Sequence, residues 1–525
     1  MCSISGSVNH SEMFVIEANK HQAKRGPDHS GILRINQNTF FSHSLLSIIG
    51  HQTQPIESIR YVMVFNGCIY NYKDLYPYET SDTSALLKHI ESKGFKEALN
   101  DLNGMFAIAV YDKLQNKIYC ACDRFNQKPL YYHHESEKFA FASTPAALLT
   151  LKDKWTIDED ALQSYWLLGS CMGSDSIWTG IKKLCASEML EYDCHTNELT
   201  ISRYYEPKFM YNALNQIEDL VYDAIDKVKI ADVPVNIFLS GGIDSTLVAS
   251  RFQGYEAIHL DSPEYKYAKE VADKFDIRLR CLSPETIEAE AVLTDFAYQC
   301  GEPMMAAMIP YITAKEASKY SKVAITANGS DEIMYGYNRT HENITEEQLT
   351  HTYRSIQGPK FMHEGHEIGY PFYTKFNGKS HGSMWELGGY VQFDLNKTLD
   401  FASGCHGLEV RSPFLDHRLV ECALSIPEQV HRNGMGNKTL LKKMLLKMGF
   451  SNEFVMRPKL GFSIHYQPEG LPKLKSMAVT WCINNRFLKL NFTQFGKLSP
   501  RDQQYLEMSC LSFFYWFKVW ENKIL

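Results

Sequence analysis

Residues 233–249 constrain this chain more than any other segment. Residues 233–239 form an apolar, β-branched run that predicts a buried strand, Gly241 and Gly242 force a tight turn, and residues 246–249 open a helix. Such a junction aims backbone N–H groups and a helix N-terminus at one point, which suits a polyphosphate. Gly241 and Gly242 let the backbone come close to the phosphates, and Ser240 and Ser245 add hydroxyl donors. Asp244 is the odd member. A carboxylate beside a phosphate calls for a divalent cation between them, and Mg²⁺ is the expected one. No Lys follows the glycines, so the segment is not a Walker loop.

At 525 residues the chain is too long for one hydrophobic core and predicts at least two domains. Its 44% apolar and 22% charged residues are those of an ordinary globular protein, and its net charge of −7 with scattered Lys and Arg argues against a nucleic-acid partner. There is no long apolar run and no charged-then-apolar leader, so neither a membrane span nor export is expected. Thirteen cysteines without a leader point to reduced thiols and a cytoplasmic location. Cys120-Ala121-Cys122 lacks the spacing of a zinc site.

Short strands are predicted over residues 61–65, 105–111, 117–121 and 138–142, with a helix over 83–92 capped by Ser81 or Asp82. The polar stretch 202–215, containing Pro207, reads as a connector, dividing the chain near residue 205 into domains 1–205 and 206–525. Beyond it, helical patterns alternate with buried strands at 233–239, 257–260 and 323–326, which predicts a parallel sheet covered by helices. Residues 438–448 read as helix, and Trp481, Phe513, Phe514, Trp516, Phe517 and Trp520 as packed helix faces.

Residues 323–326 lead into Ala327-Asn328-Gly329-Ser330-Asp331-Glu332, a second strand end followed by a glycine turn. Ligands of doubly wound sheets gather at the carboxyl ends of strands, so Asp331 is a candidate to share Mg²⁺ with Asp244. Lys459, between Pro458 and Gly461, is placed to neutralise charge on an α-phosphate, and Lys438 to hold β and γ phosphates.

These blocks resemble the asparagine synthetase family, glutamine-dependent amidotransferases with a pyrophosphate loop. The likeness runs from Cys2 to about residue 466. It is carried by Arg25-Gly26-Pro27-Asp28, Phe65-Asn66-Gly67-Cys68-Ile69-Tyr70-Asn71, Leu102-Asn103-Gly104-Met105-Phe106, the block 123–132, the loop 240–245, Gly329-Ser330-Asp331-Glu332, Leu408-Glu409-Val410-Arg411-Ser412-Pro413-Phe414-Leu415-Asp416 and Arg457-Pro458-Lys459. The resemblance implies an α+β N-terminal-nucleophile amidohydrolase sandwich, αββα, followed by an α/β adenine-nucleotide α-hydrolase-like domain with a parallel sheet. It implies ATP and Mg²⁺ as cofactors, glutamine or ammonia and aspartate or another acid as substrates, and a homodimer. Ser240, Gly241, Gly242, Asp244, Ser245, Gly329 and Ser330 would grip ATP and its pyrophosphate. Asp244 and Asp331 would hold the metal, and Lys459 would stabilise the transition state of the attack that makes the amide.

In the first half, removal of Met1 would leave Cys2 with a thiol and a free α-amine on one residue, a nucleophile beside a base of pKa about 8. By the resemblance Asn66 and Gly67 form the oxyanion hole, Asp82 takes the glutamine α-amine, and Arg25 and Asp28 shape the loop over the pocket. Three positions depart from the family pattern. The arginine that clamps the glutamine α-carboxylate is Leu45, the Glu of Asn-Gly-Glu is Cys68, and the Glu that precedes Gly329 is Asn328. A charge-assisted hydrogen bond contributes about 1.5–3 kcal/mol, so Leu45 weakens glutamine binding unless Arg25 or Lys24 supplies the missing cation. Three readings stay open: an asparagine-forming ligase, a relative specialised for another acid or amine, such as a β-lactam-forming enzyme, and a non-catalytic nucleotide binder.

Overall fold

A computed structural model describes residues 1–283, 288–340, 375–377, 379–458, 470–488 and 490–525. Its first two hundred residues build two stacked antiparallel sheets of six strands each. One runs in the order β10 (Ile181–Lys183), β8 (Tyr131–Glu135), β9 (Lys138–Ala142), β1 (Ser3–Val8), β3 (Thr39–Leu45), β2 (His29–Arg34). The other runs β12 (Leu199–Arg203), β11 (Glu188–Asp193), β7 (Lys117–Cys122), β6 (Gly104–Asp112), β5 (Tyr61–Ile69), β4 (Ile56–Glu57). The period-2 geometry of a strand explains the packing. In β6, Ala107, Ala109 and Tyr111 join the cluster between the sheets, while Phe106, Ile108 and Val110 join the cluster under the covering helix. Both faces are buried, which is why this strand reads as an unbroken apolar run.

Helix α1 (Glu12–His21) covers β1 and β3, and α2 (Asp82–Lys93) covers β5, completing the αββα sandwich. Ser81 caps α2, its hydroxyl accepting from the Thr83 and Ser84 amides at 3.1 and 3.3 Å. The helix starts at Asp82, which puts that carboxylate in its first turn.

After α3 (Ala213–Lys227) comes a five-stranded parallel sheet of β13 (Val235–Phe238), β14 (Glu256–Leu260), β15 (Arg278–Leu282), β16 (Val323–Ile325) and β17 (Glu409–Arg411), in the order β15-β14-β13-β16-β17. The connections use α4 (Ile243–Ala249), α5 (Tyr265–Lys274), α6 (Ala289–Cys300) and α7 (Met308–Ala317), and β16 leads to the single turn α8 (Ser330–Ile333). The order reverses between β13 and β16, whose residues Val235 and Ile237 register with Val323 and Ile325. Both glycine turns therefore leave neighbouring strands at the topological switch point, the preferred ligand crevice of such sheets.

The observed strands are shorter than the sequence expectations at 233–239 and 323–326, and the connector is bounded by β12 and α3, ending at Arg203 and starting at Ala213. Lys438 lies outside its helix α10 (Thr439–Lys447), in a left-handed conformation with φ 59°. In this sheet β15 and β17 were not foreseen, and in the first half neither were β1 to β4, β8 and β10 to β12.

Helix α9 (Asn396–Gly404) is the seam between the halves. Asn396 donates to the Phe125 carbonyl at 2.9 Å, Lys397 pairs with Glu302 at 3.1 Å, and Asp400 pairs with Arg25 at 2.7 Å and Lys128 at 3.3 Å. Burial alone would raise the Glu302 carboxyl, but the Lys397 and Lys183 ammoniums outweigh it and hold it down at about 2. Helices α11 (Leu471–Asn484) and α12 (Pro500–Trp520) close the far side. The Trp516 and Trp520 indoles donate to the Gly301 and Ala297 carbonyls, each at 2.9 Å, and the Tyr165 hydroxyl donates to the Ser509 carbonyl at 2.6 Å. Among the described residues no helix is long and apolar enough to cross a membrane.

Candidate active sites

Cys2 stands one residue ahead of β1, and the Leu46 amide donates to its sulfur at 3.4 Å. It opens onto a small pocket also lined by Leu45, Gly67, Cys68 and Asp82. Met1 is fully buried beside Cys2. With Met1 present, burial pushes the Cys2 thiol up to about 11 and drags the Met1 α-amine down to about 5. In this form Cys2 is thus held as the thiol, a weaker nucleophile than the thiolate.

Gly67 has φ 147°, and a Cβ there would lie 2.0 Å from the Met105 carbonyl oxygen, so no side chain fits. Its neighbour Asn66 is fully buried, and among the described residues neither its Nδ2 nor its Oδ1 has a hydrogen-bond partner. A buried amide left unpaired costs free energy unless a bound group completes it. Gly67 lines the pocket together with Cys2, whereas Asn66, the other residue expected to form the oxyanion hole, is not among the lining residues. The Asp82 carboxylate accepts from the Ile69 amide at 3.1 Å, and burial, with Glu409 adding to it, raises this carboxyl to about 7.

Arg25 and Asp28 are not among the residues that line the pocket. Arg25 lies beneath it, its Nε donating to the Cys2 carbonyl at 3.2 Å and its Nη2 to Asp400 and the Met1 sulfur, each at 2.7 Å. Asp28 takes the Ser47 amide and the Lys322 ammonium, each at 2.7 Å, and so anchors the loop that follows β3. Burial would raise the Asp28 carboxyl, but these two donors take it below the usual range. Nor does Lys24 reach the pocket, because it pairs with Asp295 at 2.6 Å. Substitution of the missing arginine by Arg25 or Lys24 is therefore corrected: both cations are committed to carboxylates of the second half.

The pocket also holds two side chains that sequence reasoning passed over, Glu409 and Arg411, carried in from β17. They belong to a block that carried the resemblance, but no local signal says that it reaches the first half. The Arg411 guanidinium donates to Glu409 at 2.9 Å and to the Val228 and Ile230 carbonyls at 2.8 and 2.7 Å.

At the switch point the second constellation comes together. The Lys438 ammonium sits 2.6 Å from Asp244 Oδ2 and 2.5 Å from Asp331 Oδ1, and the Ser330 hydroxyl donates to Asp244 Oδ1 at 2.8 Å. One ammonium thus lies between the two carboxylates and brings an oxygen of each to a common point. Ser240 and Ser245 share a hydrogen bond at 2.9 Å, and the Gly242 amide donates to Ser240 at 3.2 Å. Gly241 has φ 83°, and a Cβ there would lie 2.6 Å from the Ala268 nitrogen. Arg457 fastens the loop by donating to the Gly241 carbonyl, its guanidinium 3.8 Å from the centre of the Tyr267 ring. Gly329 adopts φ 92° as the N-cap of α8. Lys459 lies outside the described residues.

Asn328 accepts from the Thr326 hydroxyl at 3.1 Å. Glu332, also unforeseen as a site residue, is buried with its carboxyl raised to about 7 by that burial and by Asp331 and Glu386. The two sites meet through the sheet, since the Thr326 amide, at the end of β16, donates to the Arg411 carbonyl at 3.0 Å.

Two protein families match successive parts of the chain. A glutamine amidotransferase domain family matches residues 1–205, and the asparagine synthase family matches residues 216–495. Asparagine synthetase (glutamine-hydrolyzing) 1 of Bacillus subtilis is 27% identical over 542 residues, covering 86% of this chain and 84% of that one. Asparagine synthetase (glutamine-hydrolyzing) 2 of the same organism is 27% identical over 544 residues, covering 88% and 72%. A putative asparagine synthetase (glutamine-hydrolyzing) 2 of Methanocaldococcus jannaschii is 29% identical over 396 residues, covering 65% and 76%.

Proposed function

Because the chain belongs to the asparagine synthase family, with a glutamine amidotransferase domain ahead of the synthase domain, we propose that it joins ammonia to aspartate at the expense of ATP. ATP-dependent amide synthesis is the family's general chemistry; aspartate and asparagine are our specific reading. The observation that carries it is the convergence of Asp244, Asp331 and Lys438 on one point at the carboxyl ends of β13 and β16.

In this reading the loop 240–245 clasps the β and γ phosphates, with the Gly242 amide and the Ser240 and Ser245 hydroxyls as donors. Asp244 and Asp331 hold Mg²⁺, which shields phosphate charge when bound. Lys438, released from the carboxylates, turns its ammonium to the same phosphates. A carboxylate oxygen of aspartate attacks the α-phosphorus, the bond from that phosphorus to the bridging oxygen breaks, and pyrophosphate leaves. Ammonia then attacks the acyl carbon, gives up a proton, and AMP departs, with Lys459 stabilising the charge that develops.

The ammonia comes from the first half. With Met1 removed, the Cys2 α-amine takes the thiol proton and the sulfur attacks a carboxamide carbon. Asn66 Nδ2 and the Gly67 amide receive the oxyanion, the C–N bond breaks with the proton passing to nitrogen, and water splits the thioester. A second reading of the acid rests on Asn328, which cannot act as a base at neutral pH, so another acid or amine is the alternative.

Incubation with ATP, Mg²⁺, aspartate and either glutamine or ammonium tests the reading. Pyrophosphate and asparagine should form together. Turnover only with a different acid would reassign the substrate, and no pyrophosphate under any condition would remove the reading.

A further inference from the structure

Leu45 stands where a carboxylate clamp is expected, and the structure shows what surrounds it. The end of β3 and the loop after it place Leu45, Leu46, Ile48 and Ile49 in the lining of the pocket, all of them buried. Two lining residues are acidic, Asp82 and Glu409, and Arg411 is the one cation among the described residues that line it. The charge of Arg411 is met by Glu409 at 2.8 Å, its Nε donates to Glu409 and its Nη1 to the Val228 and Ile230 carbonyls, and its Nη2 makes no hydrogen bond among the described residues. Cations just outside are committed as well: Arg25 and Lys128 to Asp400, Lys24 to Asp295, and Lys322 to Asp28. A carboxylate entering this pocket would shed its water, meet as its one lining cation an Arg411 already paired with Glu409, and face Asp82. Burying an unpaired charge is unfavourable, whereas a neutral group packs against Leu45 at little cost. An ammonium group, by contrast, meets the Asp82 carboxylate.

We infer that the amide donor of this pocket is a carboxamide with a free amine and no free carboxylate: a glutamine whose α-carboxyl is masked as an ester or in an amide linkage. This rests on the reading of the first half as a Cys2 amidohydrolase. The chemistry is that of the proposed reaction: the sulfur–carbon bond forms, the carbon–nitrogen bond breaks, ammonia leaves with the thiol proton, and water releases the acid. Leu45 is the residue that sets the preference.

The test compares ammonia release from L-glutamine, L-glutamine methyl ester and N-acetyl-L-glutamine by the full chain, above enzyme-free and Cys2→Ala blanks. Pyrophosphate release with ammonium is followed in parallel. The expected result is a kcat/KM for the methyl ester about tenfold or more above that for glutamine, with N-acetylglutamine inert, the scale of one charge-assisted contact. Leu45→Arg should invert the order of ester and glutamine. Equal or better use of free glutamine by the unaltered chain overturns the inference, whether or not Leu45→Arg folds. So does the absence of ammonia from every amide while ammonium still supports pyrophosphate release, which leaves the synthetase reading standing. Silence in both assays removes both.

Discussion

The Arg25 guanidinium meets the Asp400 carboxylate at 2.7 Å in the buried seam between the halves, and the same side chain holds the Cys2 carbonyl at 3.2 Å. One arginine thus ties the residue bearing the nucleophile to a helix of the synthetase half. Lys128, also buried, reaches the other oxygen of Asp400 at 3.3 Å. The position of Cys2 is set across the seam and not by its own sheet alone.

Asp400→Ala would leave two cations buried without a counter-charge. Removal of one partner from a buried ion pair costs about 3–5 kcal/mol, so the urea midpoint should fall markedly. At temperatures where the variant stays folded, amide-supported activity should drop more than ammonium-supported activity. An equal loss of both would detach Arg25 from the placement of Cys2.

The state of Met1 should govern the thiol. With Met1 present the thiol is pushed up to about 11, so at pH 8 only about one molecule in a thousand carries thiolate. Iodoacetamide should therefore modify Cys2 roughly two orders of magnitude more slowly in chains that keep Met1 than in chains that have lost it. Mass spectrometry of the N-terminal peptide reads both states, and equal rates would contradict this.

Gly241→Ala places a methyl group 2.6 Å from the Ala268 nitrogen at a φ of 83° that disfavours any side chain. The loop must shift. Pyrophosphate release should fall about tenfold or more, the scale of roughly 1.4 kcal/mol in phosphate binding, while circular dichroism stays unchanged. Full activity would mean that the loop does not need its present path.

Asp82 should leave a mark on stability against pH. Its carboxyl is raised from 3.8 to about 7, so the folded state binds this proton more tightly than the unfolded state does. The contribution is fully present below about pH 4 and is lost as pH rises toward 7. Asp82→Asn removes the titration, so its stability relative to the unaltered chain should climb between pH 4 and 7 and then level off. Urea midpoints across that range check it, and a flat difference would refute the assignment.

The sequence showed what local chemistry determines and missed what long-range contacts determine. Strands β5, β6 and β9 were legible because burial on both faces leaves an unbroken apolar run. The edge strand β15 was hidden because Arg278 and Arg280 reach outward to Glu256. β17 escaped because Glu409 and Arg411 are buried, a placement tolerated only through their pairing and two carbonyls supplied by residues 228 and 230.

The same division holds for the sites. Asp244 and Asp331 were legible because each follows a strand end and a glycine turn, although 87 positions separate them in the chain. Arg25 was misplaced because its partner is Asp400, hundreds of residues away, and no pattern in the sequence couples the two. Arg411 was seen as part of a motif, but only the fold brings it into the Cys2 pocket.

Phosphorus NMR of ATP incubated with the enzyme, Mg²⁺, aspartate and ammonium, with and without Asp244→Asn, decides where the nucleotide is cut and by what. AMP and pyrophosphate should appear together, and Asp244→Asn should slow them by about a hundredfold or more, the scale of a lost electrostatic contact in an active site. Release of ADP with orthophosphate, or undiminished pyrophosphate from Asp244→Asn, would show that the loop at 240–245 does not hold the leaving group.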